Sequence, residues 1–329
     1  MPRDLTALPK AHLHLHLEAG MSPKLLAELS AKYDREVPVV RGYGTFGVFS
    51  SMYQAATDVL REREDWVALA DDVLAQQAAD GAVYVEPAFW AGNFRHRFAS
   101  DEACWDLVFE VFSDAVARHG VALGWMVAAD RVLDTPDEAI ELASFAVARR
   151  DDGVVSFGLH NDEVGHPAID YAPAFDVARD GGLMLTPHAG ELEGAHHVVE
   201  AIELLRADRI QHGVRAVEQD GLIERLAELG TCLDVCPTSN VMLSVVPSIE
   251  DHPLPRLLAA GVLCSVNADD PLLFGPGLLD EYELCRTTFG FDDATMAGIA
   301  RTSIECGGAP DAVKAAALAG IDAWLGCAP

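Results

Sequence analysis

The chain has 329 residues, half of them apolar, with 52 acidic against 23 basic side chains and a formal charge of -29. That length suits two average domains or one α/β barrel. The charge repels phosphate backbones and anionic membrane surfaces, and no run of 18 uninterrupted apolar residues offers a membrane span, so nucleic acid and membranes are excluded as expected partners. Seven cysteines, at 104, 232, 236, 264, 285, 306 and 327, contain no C-x-x-C pair. Their odd number argues for reduced, buried thiols over a disulfide framework. Met1 to Leu5 carry no apolar signal region, which makes the cytoplasm the expected location.

In chain order, the first structured stretch runs from Pro9 to Glu18, PKAHLHLHLE. Its alternation predicts a strand with His12, His14 and His16 on one face and Leu13, Leu15 and Leu17 on the other. Imidazoles on a buried face need partners for their ring nitrogens, and a metal ion is the economical one. A surface strand, polar on one side, is the alternative. Ser22-Pro23 then starts a helix bearing Leu25, Leu26, Leu29 and Tyr33. A loop over 36–47, with Pro38, Gly42, Gly44 and Gly47, leads into a helix whose Phe46, Phe49, Met52 and Tyr53 form either a packing stripe or a substrate lid.

A helix over 64–80 precedes a buried strand over 81–89. Further strands are legible near 121–127, 154–160, 183–188, 209–212, 231–236 and 262–267. Helical stretches near 102–118, 135–149, 170–180, 195–206, 217–229 and 251–260 separate them. Eight strands joined by helical crossovers predict a parallel (β/α)8 TIM-type barrel. A doubly wound open sheet would need a break in the repeat, and there is none. Additional C-terminal helices near 278–289, 292–305 and 310–324 follow, and no linker marks a second domain, so one domain over 1–329 is expected.

Reactive groups of such barrels lie at the carboxyl ends of strands. The first strand ends in His14, His16 and Glu18, the fifth in His188 to Glu191, the sixth in Gln211-His212-Gly213 and the eighth in Asn267 to Pro271, with Asp269 and Asp270. Three imidazoles and a carboxylate suit zinc or another first-row divalent ion with a position left for water.

The ordered set PKAHLHLHLE, HAGE, QHG, CPTSN and NADDPLLF resembles the adenosine deaminase family of the amidohydrolase superfamily over nearly the whole chain. The resemblance implies a (β/α)8 barrel, one catalytic Zn2+ and hydrolytic loss of ammonia from C6 of an aminopurine. It implies zinc ligation by His14, His16, His188 and Asp269. Glu191 matches the acid that protonates purine N1, His212 the histidine that orients the hydroxide nucleophile, and Asp270 a second carboxylate on that hydroxide. Glu18 matches the acid that contacts sugar hydroxyls, and Asn161 the position whose backbone N–H meets purine N3. Departures fall on substrate-contacting positions: Ala19 follows Glu18, Asn161 opens what is usually G-D-E, and Pro87-Ala88 replaces an arginine. A small-molecule purine is therefore expected, adenosine or deoxyadenosine first, with adenine or a 5′-modified analogue such as aminodeoxyfutalosine as alternatives. Hydrolysis of an amide, ester or phosphoester, or purine binding without turnover, are the other readings. His12 is expected in the barrel interior and His160 near substrate, while Trp90 and Asn93 to Arg97 read as an ordinary surface loop.

Overall fold

The computed structural model describes residues 2–37, 43 and 46–327; most of the expected 36–47 loop lies outside them. The strands are β1 (Lys10–His16), β2 (Ala82–Phe89), β3 (Ala122–Leu123), β4 (Trp125–Asp130), β5 (Val154–His160), β6 (Met184–Ala189), β7 (Arg209–His212), β8 (Cys232–Val235) and β9 (Cys264–Val266). All ladders are parallel, in the order β1, β2, β4, β5, β6, β7, β8, β9, and the two-residue β3 pairs beside β4 on β2. The ring closes just past β9, where His16 N donates to Asp269 O at 3.0 Å and Asp269 N to His14 O at 3.1 Å. The fold is the expected (β/α)8 barrel, and its closing contact sets the last strand's end against the first's.

Helices α1 (Pro23–Lys32), α2 (Phe46–Thr57) and α3 (Arg63–Ala79) separate β1 from β2. Around the ring follow α4 (Asp101–His119), α5 (Pro136–Ala148), α6 (Ala172–Asp180), α7 (Ala195–Glu203), α8 (Leu222–Leu229), α9 (Pro237–Met242) and α10 (Leu254–Ala259). Beyond β9 come α11 (Pro271–Phe274), α12 (Leu278–Thr288), α13 (Asp293–Cys306) and α14 (Asp311–Gly326). Ser22 Oγ accepts from Leu25 N at 3.2 Å ahead of Pro23, as its sequence predicts, and Thr135 and Glu138 form a capping box around Pro136. Leu15, Val85, Val127, Phe157 and Leu185 are buried among helix residues such as Trp66, Trp105 and Phe175. Each such side chain contributes roughly 1.5–3 kcal/mol by leaving water. No helix among the described residues is long and apolar enough to cross a membrane.

Strand β1 corrects the sequence reading. Its register against β2 shifts between His12 and Leu15, and the consecutive amides of Leu13 and His14 both donate to Asn267 Oδ1, at 2.7 and 3.2 Å. Successive amides of a regular strand point to opposite sides, so this is a bulge. It leaves His14 and His16 on the inner face and turns His12 outward, against the expectation of one shared face and an interior position. His12 Nδ1 meets Gln77 Oε1 on α3 at 2.8 Å and its Nε2 accepts from Ala268 N at 3.0 Å. Burial pulls its pKa down to about 4, so it is a neutral packing residue. Strand β4 also departs, running to Asp130, beyond the expected end at 127, and the 217–229 helix is divided into a 3-10 turn, Val214–Glu218, and α8.

Candidate metal centre and substrate pocket

His14 Nε2 lies 3.2 Å from His188 Nε2 and 3.2 Å from Asp269 Oδ1, while His16 Nε2 lies 3.3 Å from each of the same two atoms. The opposite ring nitrogens of two of these histidines face backbone carbonyls: His14 Nδ1 is 3.1 Å from Asp234 O, and His188 Nδ1 is 3.1 Å from Leu159 O. A carbonyl only accepts, so the protons sit on Nδ1 and both Nε2 lone pairs point at each other. Asp269 Oδ1 is buried with no hydrogen-bond partner, and Ser239 Oγ donates to Oδ2 at 2.7 Å. Lone pairs aimed at one another beside an orphaned carboxylate oxygen repel unless a cation lies among them. Three imidazoles and a carboxylate, with His14, His188 and Asp269 buried and His16 partly so, thus form a set able to hold a metal. His212 also approaches, its ring centroid 4.5 Å from that of His14, and belongs with His14, His188 and Asp269 to a compact group of possible ligands.

The electrostatics follow from burial. His188 is pushed well below the usual histidine range, first by burial and then by His14 and His16, and His212 falls to about 3 by burial and His14. Both are neutral. Burial would raise Asp269, but His14 and His16 outweigh it and hold the carboxyl well below its ordinary value. Glu191 moves the other way, pushed well above the carboxylate range by burial and by Asp269, Glu163 and Asp270. Burial and the charge of Asp269 likewise raise Asp270. Two ionisable populations therefore share one rim, one held charged and the other proton-bearing.

Backbone geometry aims these groups. Gly190, ahead of Glu191, has φ +66, and a Cβ there would lie 2.3 Å from Val198 Cγ2. Glu163 Oε2 accepts from the amides of Glu191 and Glu193 at 3.0 and 2.8 Å. Asn161, His212 and Asp269 have positive φ of 78, 65 and 61, strain that neighbouring structure must hold.

An open pocket enclosing about 750 Å³ rises from this set. His16, Glu18, His188, Glu191, His212, Asp269 and Asp270 line its floor, and α2 covers one side with Phe46, Phe49 and Tyr53. The aromatic stripe is used for packing and for lining: Phe49 stacks on Phe274 at 5.3 Å, whereas Tyr53 donates to Glu18 Oε2 at 2.8 Å. Met52 packs against the core instead. Asn161 lines the wall with its Nδ2 on Asp130 Oδ2 at 2.8 Å, and His160 Nε2 stands 3.6 Å from the same oxygen. Trp90 and Asn93 also line the pocket, which corrects the surface-loop expectation for them; the Trp90 indole is fixed by Asp134 at 2.8 Å. Arg95 and Arg97 face outward onto Asp101 and Asp58.

Sequence reasoning missed Asp130, Arg131, Ser239, Asn240 and His252. Asp130 escaped because the strand was expected to stop at 127. Arg131 is buried, its Nη2 on His188 O at 2.6 Å, and sequence offers no signal for a buried arginine. Ser239 and Asn240 stand in the CPTSN segment, which was legible as a motif without assigned roles.

Comparison with known proteins places the site in context. The family model described as adenosine deaminase matches residues 9–324. A Streptomyces coelicolor protein named for adenosine or adenine deamination is 39% identical, covering 98% of this chain and 98% of its own. The crystal structure of an adenine deaminase from Arthrobacter aurescens superposes with TM-score 0.89 at 30% identity, over 97% of this chain and 100% of that one. An amidohydrolase from Burkholderia ambifaria, with bound Zn, gives TM-score 0.85 at 25% identity over 98% and 93% of the respective chains.

Proposed function

Because this chain belongs to the adenosine deaminase family, whose members are hydrolytic deaminases of the amidohydrolase superfamily, we propose that it is a cytoplasmic enzyme removing ammonia from C6 of an uncharged 6-aminopurine. Adenine is the first substrate to test. The single observation that carries the reading is the meeting, in one pocket, of the His14, His16, His188 and Asp269 set with the proton-bearing Glu191. The nitrogen-rich donor set suits zinc, which lowers the pKa of a water by several units and so supplies hydroxide near neutral pH.

The protein's own residues account for the remaining bonds. As the oxygen–C6 bond forms, electron density moves onto N1, and Glu191 delivers its proton there. A divalent cation held beside it would offset the charge of Asp269 that raises Asp270, and in its ionised form Asp270 is placed to take the proton from the attacking water. Returning that proton to the exocyclic nitrogen lets the C6–N bond break and ammonia leave, while the hydroxyl proton remaining on the C6 oxygen passes to Glu191 and restores its carboxyl. Asn161, with its left-handed backbone, supports recognition of the far side of the ring.

Pocket charge selects among substrates. Among the described residues its lining includes Glu18, Asp130, Glu191, Asp269 and Asp270 and neither lysine nor arginine, so a phosphate or carboxylate on the substrate would meet repulsion from these carboxylates. The relatives named for adenine favour the free base. Adenosine is the second reading, favoured by Glu18 Oε1, which is buried, unpaired among the described residues and available to a sugar hydroxyl.

The test is a spectroscopic screen of zinc-loaded protein with adenine, adenosine, deoxyadenosine and adenosine 5′-monophosphate. Loss of the 6-aminopurine absorption with adenine or a nucleoside, and little with the monophosphate, is expected. Saturable binding without spectral change would leave a purine-binding protein, and preference for the monophosphate would overturn the charge argument.

A further inference from the structure

The proton on His212 can be located from the structure alone. His252 lies in the loop before α10 and is 3% exposed, and Asn240 on α9 is fully buried. Leu254 N donates to His252 Nδ1 at 3.1 Å. A backbone amide only donates, so His252 Nδ1 carries a lone pair and the ring proton is on Nε2. Burial keeps this ring neutral, its pKa drawn down to about 4. His252 Nε2 lies 3.1 Å from Asn240 Oδ1, and the acceptor it meets must be the amide oxygen, since a turned amide would set two donors face to face. The amide nitrogen then donates to His212 Nδ1 at 3.1 Å. That leaves the His212 proton on Nε2, 3.2 Å from Glu191 Oε1 and 3.8 Å from Asp269 Oδ2.

We infer that His252 and Asn240 are positioning residues that lock His212 as an Nε2–H donor directed into the pocket. The chain of assignments is anchored on the Leu254 amide, whose direction cannot reverse. His212 then steers the incoming oxygen by donating a hydrogen bond, which leaves proton acceptance to Asp270. Only this catalytic consequence rests on the deaminase reading; the proton's location does not.

Long-range 15N–1H correlation of the zinc-loaded protein, with His212 assigned by the loss of its signals in His212→Asn, reads the tautomer directly. The native protein is expected to show His212 protonated on Nε2. His252→Phe removes the anchor and frees the Asn240 amide to turn, so both tautomers are expected, with kcat lowered about tenfold, close to 1.4 kcal/mol in barrier, at unchanged KM and metal content. His252→Gln, whose amide can donate to Asn240 Oδ1, should restore one tautomer and most of kcat. An Nδ1–H ring in the native protein, or His252→Phe with a single Nε2–H form and unchanged kcat, would overturn the proposal. If His252→Phe fails to fold, the native spectrum decides alone. Protein that shows the Nε2–H ring yet turns over no aminopurine would sink the deaminase reading while supporting the relay.

Discussion

The interior and the rim of this barrel treat buried carboxylates in opposite ways. Inside the barrel, Arg209 joins Glu86 and Asp234 in a fully buried cluster: its Nη2 meets Glu86 Oε2, and its Nε meets Asp234 Oδ2 at 3.0 Å. Glu86 Oε1 accepts from Tyr84 and from Gly308 N, and Asp234 Oδ1 from Ser265 Oγ at 2.7 Å, so every oxygen is matched. At the carboxyl ends, Glu18, Asp269 and Asp270 each keep one buried oxygen with no hydrogen-bond partner among the described residues. An unpaired buried polar atom costs about 1–3 kcal/mol, so a fold that only had to persist would have paired these too. The contrast marks where stability is decided and where chemistry is done.

Substitutions that exchange the two behaviours test the comparison. The largest effect is expected at the rim. Glu191→Gln should lower kcat roughly 10³-fold with metal content intact, because it removes the proton donor and spares the metal set. His188→Ala, in contrast, should lose the metal; metal analysis alongside steady-state kinetics separates them, and full activity in either would remove the mechanism. Next comes the interior cluster, where Arg209→Met leaves Glu86 and Asp234 uncompensated. A loss of about 3–5 kcal/mol in urea unfolding is expected. An Arg209→Met protein of native stability would show that the neutralised cluster is not holding the fold.

The smallest effect sharpens the boundary between the regions. Burial would raise Glu163, but His197 and Arg131 prevail and hold it at about 2, against 4.5 for an ordinary glutamate. The unfolded chain therefore binds the extra proton between these values, so stability rises with pH across that window and is lost as pH falls from 4.5 toward about 2. Glu163→Gln should flatten that limb of the acid-unfolding curve, measured on chelated protein. An unchanged limb would mean that Glu163 clamps the Glu191 loop without contributing to acid stability.

Much of this arrangement is legible in the sequence. Strand and helix alternation gave the barrel, since each crossover helix needs its own apolar period, and PKAHLHLHLE, HAGE, QHG and NADD marked four strand ends bearing titratable groups. Other parts are not. The bulge at Leu13 and His14 leaves the alternation of letters untouched while it reverses the face of His12. Asp130 lies three residues beyond the strand end expected at 127, because β4 is carried onward by its ladder with β5. Trp90 and Asn93 read as loop because wall and surface positions have the same local composition.

The sequence by itself determined the order of elements and the chemical character of the strand ends, because periodicity and residue type are local properties. Which oxygens go unpaired, which nitrogen of His212 carries the proton, and which histidine of the first strand turns away were decided by tertiary structure. Each depends on partners such as Asn267, Leu254 and Gln77, which become neighbours only when the ring closes and its helices pack.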